Sequence, residues 1–205
     1  MPNYSDHGTV QNLLKKAQDV EHDNRENARE AFHFVEKRDG QWEPDIIQRF
    51  KGRPRYTFDK VGPIVDQIVG EIDSADFDVR VRPAGGDATK ETAAIFDGIT
   101  RDIESRSNAQ HIYVQAARSM VEGGLGGWLV VQDWADDDSF EQDLIIRPVN
   151  NFEDRAFFDE NAELQDMSDS SHCFLITELG QGEYEERWPK GSGLPIVTGK
   201  QILIK

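Results

Sequence analysis

The chain has 205 residues, 30% of them charged and 37% hydrophobic, with a formal net charge of −16, which suits one buried core or one and a fraction. No apolar run approaches the length that crosses a bilayer, the first residues lack the basic, apolar, small-residue order of an export signal, and the single cysteine, Cys173, excludes an internal disulfide and cannot alone build a zinc site. Acidic and basic side chains balance over residues 1–60, so the whole negative excess follows Lys60; such a surface forgoes the counterion release that drives duplex binding and excludes a conventional DNA-binding domain.

From Thr9 to Arg38, apolar residues recur at Val10, Leu13, Leu14, Ala17, Val20, Ala28, Ala31, Phe32 and Val35, a helical spacing interrupted by a very polar middle, His22 to Asn27. This predicts one long or broken helix whose thin stripe needs packing from elsewhere, with Leu13, Leu14 and Ala17 short of burial partners in a monomer. His22 and His33 read as solvated or packing histidines, since a metal pair wants four-residue spacing. Pro44 suits the first turn of a short helix, Asp45 to Phe50. Arg49, Lys51, Arg53, Arg55 and Lys60 then form a basic patch with Tyr56 and Phe58 interleaved. It reads either as a phosphate contact or, as the preferred reading, as partners for the acids that follow.

Pro63 to Ile72 predicts a one-faced helix, and the alternation Phe77, Val79, Val81 a strand stopped by Pro83. Gly85-Gly86 is a loop and no phosphate cradle, because no Lys-Ser or Lys-Thr follows at the spacing a P-loop requires. Asp87 is the expected cap of a helix carrying Ala94, Ile95, Gly98, Ile99 and Ile103 on one face to about Ser107. A second helical segment, Ile112 to Val121, ends at Gly123-Gly124. His111 lacks the oriented partner a catalytic role needs.

Residues 123–148, GGLGGWLVVQDWADDDSFEQDLIIRP, read as a hairpin. Trp128 to Trp134 and Leu144 to Ile146 are its strands, and Pro148 closes it. Gly124 and Gly127, with Gly123 and Gly126, give the backbone freedom to pass from helix to strand. Trp128 is expected to be buried. The carboxylates Asp133, Asp136, Asp137 and Asp138, with Phe140 following, keep the tip in water. They fail as a calcium loop: counting from Asp133, the required Gly is Asp138 and the required Glu is Leu144. A two-metal nuclease wants carboxylates converging from separate elements.

After Pro148 come Phe152, Phe157 and Phe158, then a strand from His172 to Leu179, with Cys173 read as a buried strand thiol. Tyr184 to Trp188 could pair with that strand through the Gly180-Gln181-Gly182 turn. Ile202-Leu203-Ile204 reads as an apolar strand without a successor.

Several of these residues, in order and near-constant spacing over roughly 50–160, also carry a resemblance. Arg53-Pro54, Thr57, Lys60, Val65, Gln67 and Gly70 lead into Thr92-Ala93-Ala94-Ile95-Phe96, Ile103-Glu104 and Ser107-Asn108-Ala109; Gly124-Leu125-Gly126-Gly127-Trp128 and Asp136 to Asp143 follow. Together they resemble portal proteins of short-tailed, podovirus-type bacteriophages. The sequence departs from that pattern at Asp59, where an Asn is expected, and at Asn150-Asn151-Phe152, in place of Asn-Pro-Phe. The resemblance implies an N-terminal portion of a longer protein whose complete form is a ring of about twelve subunits at a capsid vertex, closed by heterologous contacts. It further implies a channel for double-stranded DNA without sequence-specific binding, docking of terminase and of a tail adaptor, contact with capsid or scaffolding protein, and residence in the virion after assembly in the host cytoplasm.

The sequence therefore predicts an α+β fold: N-terminal helices, a mostly antiparallel sheet after Gly123, wing-like in portal terms, and no nucleotide-binding fold. Residues 1–50 are expected to form a helical segment, 51–190 the core or wing, and 191–205 a truncated tail. No catalytic residue, cofactor, metal or membrane contact is called for. The rival readings are a metal-dependent nuclease or hydrolase using the acidic hairpin, and an acidic adaptor that forms no ring.

Overall fold

The computed structural model describes residues 7–36, 42–54, 56–75, 79–86, 88–135 and 140–187. Seven helices and four short strands are found among them: α1 (His7–Glu36), α2 (Pro44–Arg49), α3 (Gly62–Ser74), α4 (Lys90–Arg106), α5 (Ala109–Gly123), β1 (Trp128–Trp134), β2 (Gln142–Pro148), α6 (Phe152–Arg155), β3 (Ala156–Phe158), β4 (Cys173–Leu175) and α7 (Gln181–Arg187). The fold is α+β, and its strands form two separate antiparallel pairs, β1 with β2 and β3 with β4. The chain divides into two compact units, one of residues 1–27 with 151–205, the other of residues 28–150.

The first unit is built on the N-terminal two-thirds of α1. Val10, Leu14 and Ala17 are buried against Phe157, Phe174 and Ile176, with Leu13 packed alongside, so these stripe residues have the partners that the sequence left wanting. The polar middle does not break the helix, because one of its charges turns inward. Arg25 is only 2% exposed. Its Nη2 donates to the Ala156 carbonyl at 2.7 Å and its Nη1 to that of Phe152 at 3.2 Å. It pairs with Glu21 one turn earlier, and its guanidinium lies 5.0 Å from the centre of the Phe157 ring. A buried cation needs such a set of acceptors.

β3 and β4 pair Ala156 with Leu175, Phe157 with Phe174 and Phe158 with Cys173. Strand alternation that sends Phe174 into the core turns Cys173 outward, so the thiol is exposed rather than buried. Partial desolvation raises its pKa, which keeps it a weak nucleophile. The predicted strand from His172 to Leu179 is observed only over Cys173–Leu175, because its partner β3 begins where α6 ends at Arg155; the Ile176 amide still adds one rung, to the Arg155 carbonyl at 2.7 Å. Tyr184 to Arg187 are helical in α7, not a partner strand: Gly-Glu-Tyr-Glu-Glu-Arg contains no β-branched residue and several good helix formers. Trp188 and the Ile202 to Ile204 tail lie outside the described residues.

In the second unit α3 buries Val65 and Val69. Asp59 accepts the amide of Gly62 at 2.8 Å and so closes the start of α3. α4 is capped by Thr89, whose hydroxyl accepts the Thr92 amide; Asp87, the predicted cap, lies outside the described residues. On α4 only Ala93 is buried, while Ile95 and Ile99 face solvent, so the predicted apolar face is largely uncovered. Val79 to Pro83 form no strand, since the Val81 amide bonds to the Asp97 carboxylate at 3.1 Å instead of to a neighbouring chain; Phe77 is outside the described residues. The core gathers Ala109, Ile112 and Ile146, with Ile103 and Tyr113 packed against it.

Candidate functional site

The passage from α5 to β1 depends on two glycines with different tasks. Gly124 takes the left-handed conformation, φ 79°, that ends α5. Gly126 passes so close to α5 that a Cβ there would lie 2.1 Å from the Ala116 carbonyl oxygen. Gly127, half-buried, delivers the chain to Trp128. The hairpin register then runs from Trp128 opposite Pro148 to Trp134 opposite Gln142.

Trp128 is 49% exposed, contrary to expectation: one side of its ring packs on Tyr113 at 4.7 Å, and the described residues leave the rest of it half in solvent. Tyr113 donates to Glu104 at 3.1 Å, and burial together with that bond pushes its pKa up to about 12. Beside this pair lies an apolar cavity of about 520 Å³ between the end of α3, α5 and the start of β1.

Two carboxylates of the hairpin, Asp133 and Asp143, face arginines. Asp133 pairs with Arg147 across the two strands, and Asp143 meets Arg106 at 2.5 Å, with Asp102 on the same guanidinium at 2.9 Å. Asp136, Asp137 and Asp138 are outside the described residues. Among the described residues no group of three or more His, Cys, Asp or Glu side chains could hold a metal ion. Phe140, just past the tip, is 97% exposed.

The basic patch is an exposed strap leading into α3. Arg49 ends α2, and Arg49, Lys51, Arg53 and Lys60 are all exposed, while Arg55 is outside the described residues. Among the described residues none of these four makes an ion pair. Tyr56 and Phe58 stand out between them, 75% and 79% exposed. Trp42 braces the strap from its own start: its indole N–H donates to Thr57 at 2.9 Å, and its ring lies 6.0 Å from Phe50.

Two constellations escaped the sequence reading. Arg25 is one, because its carbonyl partners lie more than a hundred residues downstream. The other joins Asp159, Ser171 and His172. Ser171 donates its hydroxyl to Asp159, which also accepts the amides of Asn161 and Ser171, and these bonds hold the Asp159 carboxyl well below the usual range. His172 Nδ1 lies 3.5 Å from the same carboxylate. A nucleophilic serine needs the histidine between itself and the acid; here the acid holds the hydroxyl proton directly, so the cluster pins a loop. Among the described residues no helix is long and apolar enough to cross a membrane.

Against known families, the sequence matches the one described as phage P22-like portal protein over residues 11–197.

Proposed function

By that match the chain belongs to the phage P22-like portal protein family, a family of structural head-to-tail connector proteins of DNA packaging, and on this premise we propose that its copies close into a ring at one capsid vertex. Double-stranded DNA passes through the channel during packaging and ejection. The outer surfaces dock the terminase, then the tail adaptor, with capsid or scaffolding protein around them. The chain performs no catalysis of its own; Gly124, Gly127, Trp128 and Phe140 belong to the hairpin that takes part in assembly contacts.

The family match over nearly the whole chain carries this reading, and two physical features support it. Apolar side chains stand in solvent on several elements: Ile64 and Ile68 on α3, Ile95, Phe96 and Ile99 on α4, and Trp134 and Leu144 on the hairpin. Neighbouring subunits would cover such surface. The net charge of −16 repels phosphate, so DNA would slide and not adhere. Native mass measurement with negative-stain imaging tests the proposal: closed particles of cyclic symmetry are expected, with little retention of duplex DNA at physiological salt. A monomer at every concentration would overturn the ring, and tight retention of duplex would overturn the passive channel.

A further inference from the structure

The exposed strap and the apolar cavity lie at opposite ends of one helix. The strap enters α3 at Gly62, where Asp59 closes the first turn, whereas the cavity is walled at the other end by Ile72, and beyond it by Tyr113, Ala117, Met120, Gly126 and Trp128. Thirteen residues of α3 separate the two by about 20 Å. In its own copy Phe58 stays 79% exposed and leaves that cavity open.

The chemistry of each end suits the other. At about 520 Å³ the cavity falls in the size range of sites that enclose an apolar group, about 300–1,000 Å³, and its aromatic and thioether walls favour a ring. The end of α3 that walls it is acidic: Glu71 and Asp73 precede and follow Ile72 in the chain, Gln110 donates its amide to Asp73, and the last turn of α3 holds no basic residue to offset the helix terminus. The strap presents a ring between cations, Phe58 between Arg53 and Lys60, whose charges meet no acid among the described residues. Tyr56 suits the cavity less, because its hydroxyl would lose water against apolar walls.

We propose that Phe58 of one copy inserts into the α3–α5 cavity of a second copy, with Arg53 and Lys60 meeting Glu71 and Asp73 at the end of α3. The contact is heterologous, each copy giving a strap at one end and a cavity at the other, so copies add in one direction and can close on rotation. It rests on the ring reading and names one of the surfaces that would build it.

Disulfide trapping between copies tests the contact, in a Cys173→Ser background because that thiol is exposed. One preparation carries Phe58→Cys and the other Met120→Cys; both positions are exposed, so folding should survive, as circular dichroism would verify. Oxidation with diamide should link the mixture into dimers and leave each preparation alone unlinked. Phe58→Ala should raise the concentration for half-assembly about thirtyfold, the size of a buried aromatic anchor. Lys60→Glu should weaken assembly and Glu71→Lys restore it. Assembly without cross-linking, and indifferent to Phe58→Ala, would overturn this contact and leave the ring standing. Absence of any assembly would remove both. Strap variants that lower affinity for duplex DNA while the native mass is unchanged would make the strap a phosphate contact and overturn the proposal.

Discussion

Arg25→Met removes a buried charge while keeping most of the stem that packs beside Phe157. The lost interactions are two charge-assisted bonds, to Ala156 at 2.7 Å and Phe152 at 3.2 Å, and the pair with Glu21. Bonds of that kind contribute about 1.5–3 kcal/mol each, but all share one guanidinium and do not add. Breaking one side of a buried pair costs about 3–5 kcal/mol, and that is the expected loss, a large part of the about 5–15 kcal/mol of a whole domain. Adding Glu21→Gln should recover part of it, because the carboxylate left behind is itself a source of the penalty. Urea unfolding followed by circular dichroism would give the difference, with hydrogen exchange at residues 7–27 and 152–176 locating it. A loss under about 1 kcal/mol, or exchange around Ala156 that does not change, would show that Arg25 does not hold this unit together.

Gly126→Ala forces a Cβ to within 2.1 Å of the Ala116 carbonyl oxygen, and the nearest atoms all belong to the α5 backbone, which cannot swing aside as a side chain would; a loss of about 1–3 kcal/mol is expected, and an unchanged melting temperature would mean α5 and β1 are not so close. Asp159→Asn should destabilise the chain at neutral pH. Because the folded pKa of Asp159 is depressed, its contribution is present above the ordinary carboxylate value of about 3.9 and fades as pH falls through and below it; a wild-type-to-variant gap that stays constant into strong acid would contradict that linkage.

Much of the second unit was legible because its signals are local. The period of Val65 and Val69 marks α3, and two β-rich runs around a polar tip mark β1 and β2 with their observed pairing. Burial was harder to read. Trp128 has the residue type of a core position, but exposure depends on whether another layer arrives, and among the described residues none buries it. Ile95 and Ile99 fail for the same reason. The polar stretch His22 to Asn27 suggested a break, since nothing near it in sequence offers Arg25 two carbonyls and a phenyl face. On the candidate site, the cations and rings of the strap could be seen directly from their order, whereas the cavity could not, because its walls come from α3, α5, the start of β1 and Val79, far apart in sequence.

The division of the chain has a consequence for the order of folding. Residues 28–150 form one unbroken stretch whose contacts can be completed as soon as it has been synthesised, whereas the first unit needs residues 1–27 together with residues that follow 150. Until Phe152 and Ala156 exist, α1 has neither the aromatic cover for Leu14 nor carbonyls for Arg25. The N-terminal helix therefore waits on a nascent chain with its apolar stripe unburied while the later-made middle folds, and the closing of the long loop between the two ends comes last.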